Sequence, residues 1–273
     1  MSLLFIFLIS LTQGFTEFLP VSSQGHVILI TKFSDFDNLP LRDINIILHF
    51  GSLVAIILYN LKDLFLLFFS IKSFFRPDLN NYTCLLHNLL ISFLPLVFFS
   101  YLFLEILSFN FYESLGIIGI SSIIFSLLLL IIDTNCLRIN TLDKLSKRKA
   151  FIVGIFQSFA LIPGASRAGT VITAMRLLGY TRRDCIFYSN LLSIPTITGA
   201  IVFLFMGGFD NDINFQFNLD LFLLFILSFI FSLMFIHFLV SWVRKSSLTI
   251  FVIYRFIFGC GLIVYHYEFF NLF

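Results

Sequence analysis

The sequence predicts an all-α polytopic membrane protein, with six transmembrane helices and two re-entrant helix–loop–helix hairpins in an inverted-topology repeat. Three observations carry that expectation. Of the 273 residues, 59% are apolar and 12% are charged, with a mean hydropathy of +1.01. The apolar residues fall in long continuous runs, and two of those runs are broken midway by Pro, Gly and small polar residues. The 17 Lys and Arg and the 15 Asp and Glu are too few to cover a soluble domain of this length. A soluble globular enzyme, a nucleic-acid binder and a disordered chain are therefore excluded. An outer-membrane barrel is excluded as well, because its strands alternate in segments of about ten residues.

The spans are predicted near 44–60, 84–104, 115–132, 185–208, 221–241 and 248–265, each close to the length that crosses a bilayer. The shorter piece 63–75, flanked by Lys62, Asp63, Lys72 and Arg76 and ending before Pro77, reads as an interfacial helix. Two regions are neither loops nor plain spans. The first, 1–31, is interrupted by "EFLPVSSQGH", and the second, 150–180, by "IPGASRAG". Irregular backbone at membrane depth is tolerated only where it is buried in protein or lines a wet cavity. Both regions are therefore expected to be hairpins that enter and leave from one side. Met1 to Thr16 holds no Lys or Arg, so the basic start of a secretory signal is missing and this stretch is expected to be mature structure.

Loop charge sets the orientation. Lys/Arg-rich short loops face the cytoplasm. Loop 133–149 holds Arg138, Lys144, Lys147, Arg148 and Lys149, and Arg182, Arg183, Arg244 and Lys245 mark two further inner loops. Turns 105–114 and 209–220 carry only acidic charges, Glu105, Glu113, Asp210, Asp212 and Asp220. Six spans fit this alternation if hairpin 1–31 starts and ends outside and hairpin 150–180 starts and ends inside.

An internal echo supports the layout. Shifted by 144 residues, "QGFTEFLPVSSQGHVI" (13–28) lies over "QSFALIPGASRAGTVI" (157–172), with 6 of 16 positions identical: Gln13/Gln157, Phe15/Phe159, Ser22/Ser166, Gly25/Gly169, Val27/Val171 and Ile28/Ile172. Repeat one is expected over about 1–132 and repeat two over about 150–265, joined by the cytoplasmic loop 133–149 in one integral membrane domain. Three spans follow each hairpin, and an odd number turns the second copy upside down. Such proteins place their site at the repeat interface near the midplane.

Glu17 and Arg167 are the main functional clues. Each is an isolated charge inside an apolar region, where an ionised side chain costs at least about 2.5–3.5 kcal/mol on insertion scales. Ser22, Ser23 and His26 surround the first; Gly164, Ser166, Gly169 and Thr170 surround the second. Arg grips phosphate bidentately. Glycine lets backbone N–H groups approach an anion, and a following helix offers its N-terminus. His and Glu move protons, and Ser is a nucleophile. The set suits phosphoryl transfer better than acyl transfer, which needs no basic clamp. The bland alternative is a structural Glu17–Arg167 ion pair locking the hairpins together, with His26 a packed polar residue. His49, His87, His237 and His266 lack such company and read as structural or interfacial. Arg176 reads as interfacial, and Arg255 receives no role. The four cysteines are scattered singly and read as buried thiols, without a disulfide framework or zinc site. Phe-rich stripes, such as "FLLFF", read as lipid-facing or packing surface.

"QGFTEFLPVSSQGHVILI" and "PGASRAGTVITAMRLLG…IPTITGA" closely resemble the undecaprenyl-diphosphatase family, also called the bacitracin-resistance protein, and "HFGSLVAIILY" resembles the segment between them. The resemblance implies hydrolysis of undecaprenyl diphosphate to the monophosphate and inorganic phosphate. It also implies a divalent cation, Mg²⁺ or Ca²⁺, and an active site open to the periplasmic side of the bacterial inner membrane. Its motif residues fall on Glu17, Ser22, Ser23, His26, Ser166 and Arg167. Two departures stand out. Gln13 occupies a place where the family often has Glu, so it supplies hydrogen bonds but no charge to a cation. Glu17 must then carry the cation, with Gln13 a secondary contact. "SRAGTV" replaces the usual S-R-S-G-x-T, so Ala168 stands for a Ser and the Thr170 hydroxyl sits one place early. The expected roles are phosphate binding by Arg167, Ser22, Ser166, Thr170 and the amides near Gly164 and Gly169, with Glu17, His26 and Ser23 in acid–base or nucleophilic roles. The partners are a polyprenyl diphosphate lipid and the bilayer; oligomeric state stays open. The competing readings are an inverted-repeat lipid or ion transporter, able to coexist with hydrolysis, and a structural membrane subunit.

Overall fold

The computed structural model describes residues 2–32, 40–76, 80–106, 111, 114–206 and 218–270. The described chain is helical and holds six helices long and apolar enough to cross a membrane. These are α3 (Leu41–Tyr59), α5 (Asn81–Ile106), α6 (Leu115–Asn135), α9 (Arg182–Phe205), α10 (Leu219–Trp242) and α11 (Thr249–Phe270). Each matches one predicted span to within a few residues. The short elements also stand where the sequence places them. Helices α1 (Leu3–Phe18) and α2 (Ser23–Lys32) are separated by a break at Leu19–Ser22. Helices α7 (Lys147–Ser158) and α8 (Arg167–Leu177) are separated by a 3₁₀ turn and the Pro163–Ser166 segment. Helix α4 (Leu61–Ser70) is the piece read as interfacial. Turns 107–110 and 207–217, including Asp210 and Asp212, lie outside the described residues, as does Glu113.

The four most extensive helix pairings are α6 with α11, α3 with α10, α1 with α10 and α5 with α7. The first helix of each broken segment thus lies along a span from the other half of the chain. Small hydroxyl residues hold such contacts tight. Ser52 of α3 lies 3.0 Å from Ser232 of α10, and Ser92 of α5 donates to the Ala150 carbonyl of α7 at 2.7 Å. Such hydrogen bonds glue helices where apolar contacts alone give little preference over lipid. The outer surface is apolar: Phe68, Phe69, Phe98, Ile124, Ile131 and Ile257 are all exposed, as lipid-facing stripes require.

The helix ends nearest the basic loops carry a clamp that the sequence hides. Arg176, expected at an interface, has no exposed surface. Its Nε donates to Asp133 at 2.8 Å and its Nη1 to the Tyr180 carbonyl at 2.6 Å, while Arg182 Nη2 reaches the other Asp133 oxygen at 2.8 Å. A charge this buried persists only when paired and fully hydrogen-bonded. One carboxylate shared by two guanidiniums provides that. Of the four cysteines only Cys185 is fully buried, because the others sit near helix ends or on partly open faces.

Candidate active site

The two helix breaks meet in the interior. In the first, α1 carries Gln13 and Glu17 on one face, since positions four apart stack on a helix. Gln13 Nε2 donates to Glu17 Oε2 at 3.1 Å. The chain then bends through Leu19 and Pro20, and α2 starts at Ser23. Ser23 Oγ donates to the same Glu17 oxygen at 3.5 Å.

In the second, Gly164 adopts φ +90°, a left-handed conformation in which an L side chain is strained. An added Cβ there would also collide with Ile118 and Ser121 of α6. Ser121 in turn donates to the Pro163 carbonyl. Ser166, at φ 66°, caps α8 by accepting the Gly169 amide at 3.2 Å. That cap starts the helix at Arg167.

Arg167 closes the gap between the hairpins. Its Nη2 donates to Glu17 Oε1 at 3.1 Å and to the Glu17 carbonyl at 3.2 Å. The side chains of Glu17 and Arg167 are 7% and 11% exposed, so the pair sits almost sealed among apolar helices. Nε and Nη1 of Arg167 have no acceptor among the described residues. They remain available to an anion. The N-termini of α2 and α8, at Ser23 and Arg167, are the positive ends of two helix dipoles.

A second buried arginine holds the breaks themselves. Arg255 of α11 is 1% exposed. Its Nη2 donates to the Gly164 and Ala165 carbonyls at 3.0 Å each, and its Nη1 to the Pro20 carbonyl at 3.4 Å. Broken helices leave carbonyls without partners inside the membrane. One guanidinium serves carbonyls from both breaks.

The remaining predicted residues divide. His26 does not touch Glu17 or Arg167. Its Nδ1 lies 2.6 Å from the Ser22 carbonyl and its Nε2 lies 2.6 Å from the Tyr254 hydroxyl, while its ring stacks on Phe258 with centroids 3.7 Å apart. Both ring nitrogens are therefore engaged. Ser22 is buried. Thr170 turns its hydroxyl onto the Arg167 carbonyl at 2.9 Å. The Gly169 amide is spent on the α8 cap. Two residues that sequence reading set aside lie at the site. His49 of α3, read as lacking company, has its Nδ1 3.3 Å from Gln13 Nε2 and 3.7 Å from Glu17 Oε2. It opens "HFGSLVAIILY", the segment between the two breaks, and that resemblance is the signal that could have marked it. Arg255 also carried a signal, since it is an intramembrane charge like Glu17 and Arg167.

Among the described residues, no three His, Cys, Asp or Glu side chains stand close enough to hold a metal. Glu17 is the one carboxylate of the cluster, and its oxygens already face Arg167, Gln13 and Ser23. A hard cation such as Mg²⁺ commonly binds through one or two carboxylates together with substrate phosphates. The donor set therefore fits a cation shared with a phosphate ligand, and does not fit a closed protein cage.

Nearly the whole chain is similar to known proteins. The family model described as bacitracin resistance protein BacA matches residues 6–261. An undecaprenyl-diphosphatase of Erythrobacter litoralis is 33% identical over 97% of this chain and 100% of its own length. One of Pelagibacter ubique is 34% identical over 96% and 97%, and one of Aliivibrio salmonicida 33% over 95% and 96%. The transporter expectation finds no support in these relatives.

Proposed function

The chain belongs to the bacitracin resistance protein BacA family, and from that premise we propose that it hydrolyses undecaprenyl diphosphate to undecaprenyl phosphate and inorganic phosphate. The reaction would return the lipid carrier to peptidoglycan synthesis and confer bacitracin resistance. Three relatives that align over nearly all of this chain carry the name of that diphosphatase. We further place the protein in the bacterial inner membrane, with the reacting groups reached from the periplasmic side and the basic loops in the cytoplasm.

The observation that carries the reading is the Glu17–Arg167 contact across two helix breaks, with Ser23 on the carboxylate's other oxygen. A structural lock needs only the ion pair. It needs neither a hydroxyl poised on the carboxylate nor a guanidinium with unused N–H groups in a nearly sealed interior. Those are the parts of a phosphoryl-transfer site: a clamp for equatorial oxygens, a base and a nucleophile.

In the reaction, Arg167 turns Nε and Nη1 onto the terminal phosphate, aided by the α2 and α8 N-termini. Glu17 takes the Ser23 proton as Ser23 Oγ attacks the terminal phosphorus. The bond from that phosphorus to the bridging oxygen breaks, and its electron pair leaves on the lipid monophosphate. Glu17 passes that proton to the departing lipid monophosphate. Ionised again, it deprotonates a water that attacks the phosphorus on Ser23. The P–Oγ bond breaks, and the proton held by Glu17 returns to Ser23 Oγ as inorganic phosphate leaves. Direct attack by water activated by the same carboxylate gives the same products. His26, with both nitrogens engaged, supports the α2 start by holding the Ser22 carbonyl. Glu17, with Gln13 as a secondary contact, would hold a divalent cation jointly with the diphosphate. Such a cation neutralises charge on the phosphate oxygens.

The test is phosphate release from a polyprenyl diphosphate by purified protein in detergent, first with Mg²⁺ or Ca²⁺ and then with chelator. A phosphatase needs no second compartment. Release with cation and loss on chelation are expected. No release in either condition overturns the activity.

The packing of α1 on α10 and of α7 on α5 supports reading the chain as two halves that exchange their broken hairpins. Combined with the odd number of spans per half, it favours an inverted repeat with both breaks near the bilayer midplane.

A further inference from the structure

We propose that His49 is a positioning residue of this site: it accepts the second N–H of the Gln13 amide and thereby fixes the orientation of the Glu17 carboxylate. The inference rests on the phosphatase reading above. Gln13 Nε2 lies 3.1 Å from Glu17 Oε2 and 3.3 Å from His49 Nδ1. A primary amide nitrogen carries two hydrogens. One goes to the carboxylate and the other to the imidazole, so Nδ1 is the lone-pair nitrogen and the ring proton sits on Nε2. The flipped amide would set its oxygen against both a carboxylate oxygen and an imidazole lone pair. With its proton on Nε2, His49 adds to the penalty that the carboxylate itself sets on the flip, and Glu17 Oε2 stays bound to Gln13 and Ser23 while Oε1 faces Arg167.

The placement of His49 is itself rigid. Two residues on, Gly51 approaches α10 so closely that a Cβ would meet the Phe225 carbonyl oxygen at 2.8 Å. Ser52 donates to the Leu48 carbonyl at 3.1 Å and lies 3.0 Å from Ser232 Oγ. The helix crossing therefore fixes the backbone on which the imidazole stands, and the ring is 23% exposed. A chain of contacts runs from α10 through α3 to Gln13, Glu17 and Arg167.

The experiment is a double-mutant cycle in detergent-purified protein, reading kcat and KM for phosphate release. Each of His49→Leu and Gln13→Ala is expected to lower kcat about ten-fold with little change in KM, since one oriented hydrogen bond is lost. The double variant should be no slower than the slower single, because both break one chain of contacts. His49→Gln, whose side-chain oxygen can take the same N–H, should recover most of the loss. A merely structural histidine would give neither the rescue nor the missing additivity. If His49→Leu elutes aggregated, His49→Phe, which keeps ring volume without an acceptor, is read in its place. Wild-type turnover in the apolar variant, equal damage in His49→Gln, or multiplied losses in the double variant overturn the relay alone. A wild-type protein that releases no phosphate overturns the activity reading, and with it any catalytic part for His49.

Discussion

The two helix breaks share a plan and carry opposite charges. Each follows a buried glutamine by several residues, Gln13 or Gln157, and each restarts its helix beside a serine, Ser22 or Ser166. At the position that would pair Glu17 with its counterpart, the second break has Leu161; at the counterpart of Arg167, the first has Ser23. The two glutamines have different partners. Gln13 donates to the Glu17 carboxylate, whereas Gln157 donates to the Thr196 hydroxyl at 3.2 Å and its own oxygen has no partner among the described residues. One backbone device, a helix interrupted inside the apolar interior, thus serves twice. The side chains then differ, with the Glu17 carboxylate and the Ser23 hydroxyl on one side and the Arg167 guanidinium on the other. Arg255 belongs to neither break and holds carbonyls of both.

The comparison is sharpest where it predicts unequal effects. The largest should come from the unlike charges. Glu17→Gln and Arg167→Ala are each expected to lower phosphate release by about 10²-fold or more, the usual scale for losing a group that meets transition-state charge. Both variants should still insert and elute as folded protein. Arg255→Met comes next. It strips the breaks of their shared donor, leaving buried carbonyls that cost about 1–3 kcal/mol each when unsatisfied. A lowered melting temperature should accompany its loss of turnover. The smallest and most telling difference lies between the glutamines. Gln13→Ala should slow turnover about ten-fold, and Gln157→Ala less than about two-fold, because only the first touches a reacting group through an oriented hydrogen bond. Equal effects would mean that the two breaks are not specialised.

Much of this was legible in the sequence for simple reasons. The six spans follow from the length of apolar runs, which the bilayer thickness enforces. The breaks were visible because "FLPVSS" and "IPGAS" place Pro, Gly and Ser where a continuous helix would be expected. Glu17 and Arg167 stood out because an ionised group deep in an apolar run requires a partner. What escaped depends on helix rotation and crossing, which no local pattern encodes. His49 opens "HFGSLVAIILY", but that string does not say which way the ring faces; Gly51 and Ser52 pack α3 against α10 and so hold the backbone that carries it. Arg176 was read as interfacial, but Asp133 at the end of α6 and Arg182 at the start of α9 converge around it. The contacts of His26 with Tyr254 and Phe258 of α11 likewise depend on helix crossing, which its three-residue step from Ser23 does not encode.

The central claim is that the acid of the first break and the guanidinium of the second act on one diphosphate. Its most direct test is phosphate release by Glu17→Gln, Arg167→Ala and the combined variant, measured together on purified protein. Groups that serve one transition state are strongly non-additive, so the combined variant should be no slower than the slower single. Losses that multiply, or near-normal turnover in either single, would contradict a shared site.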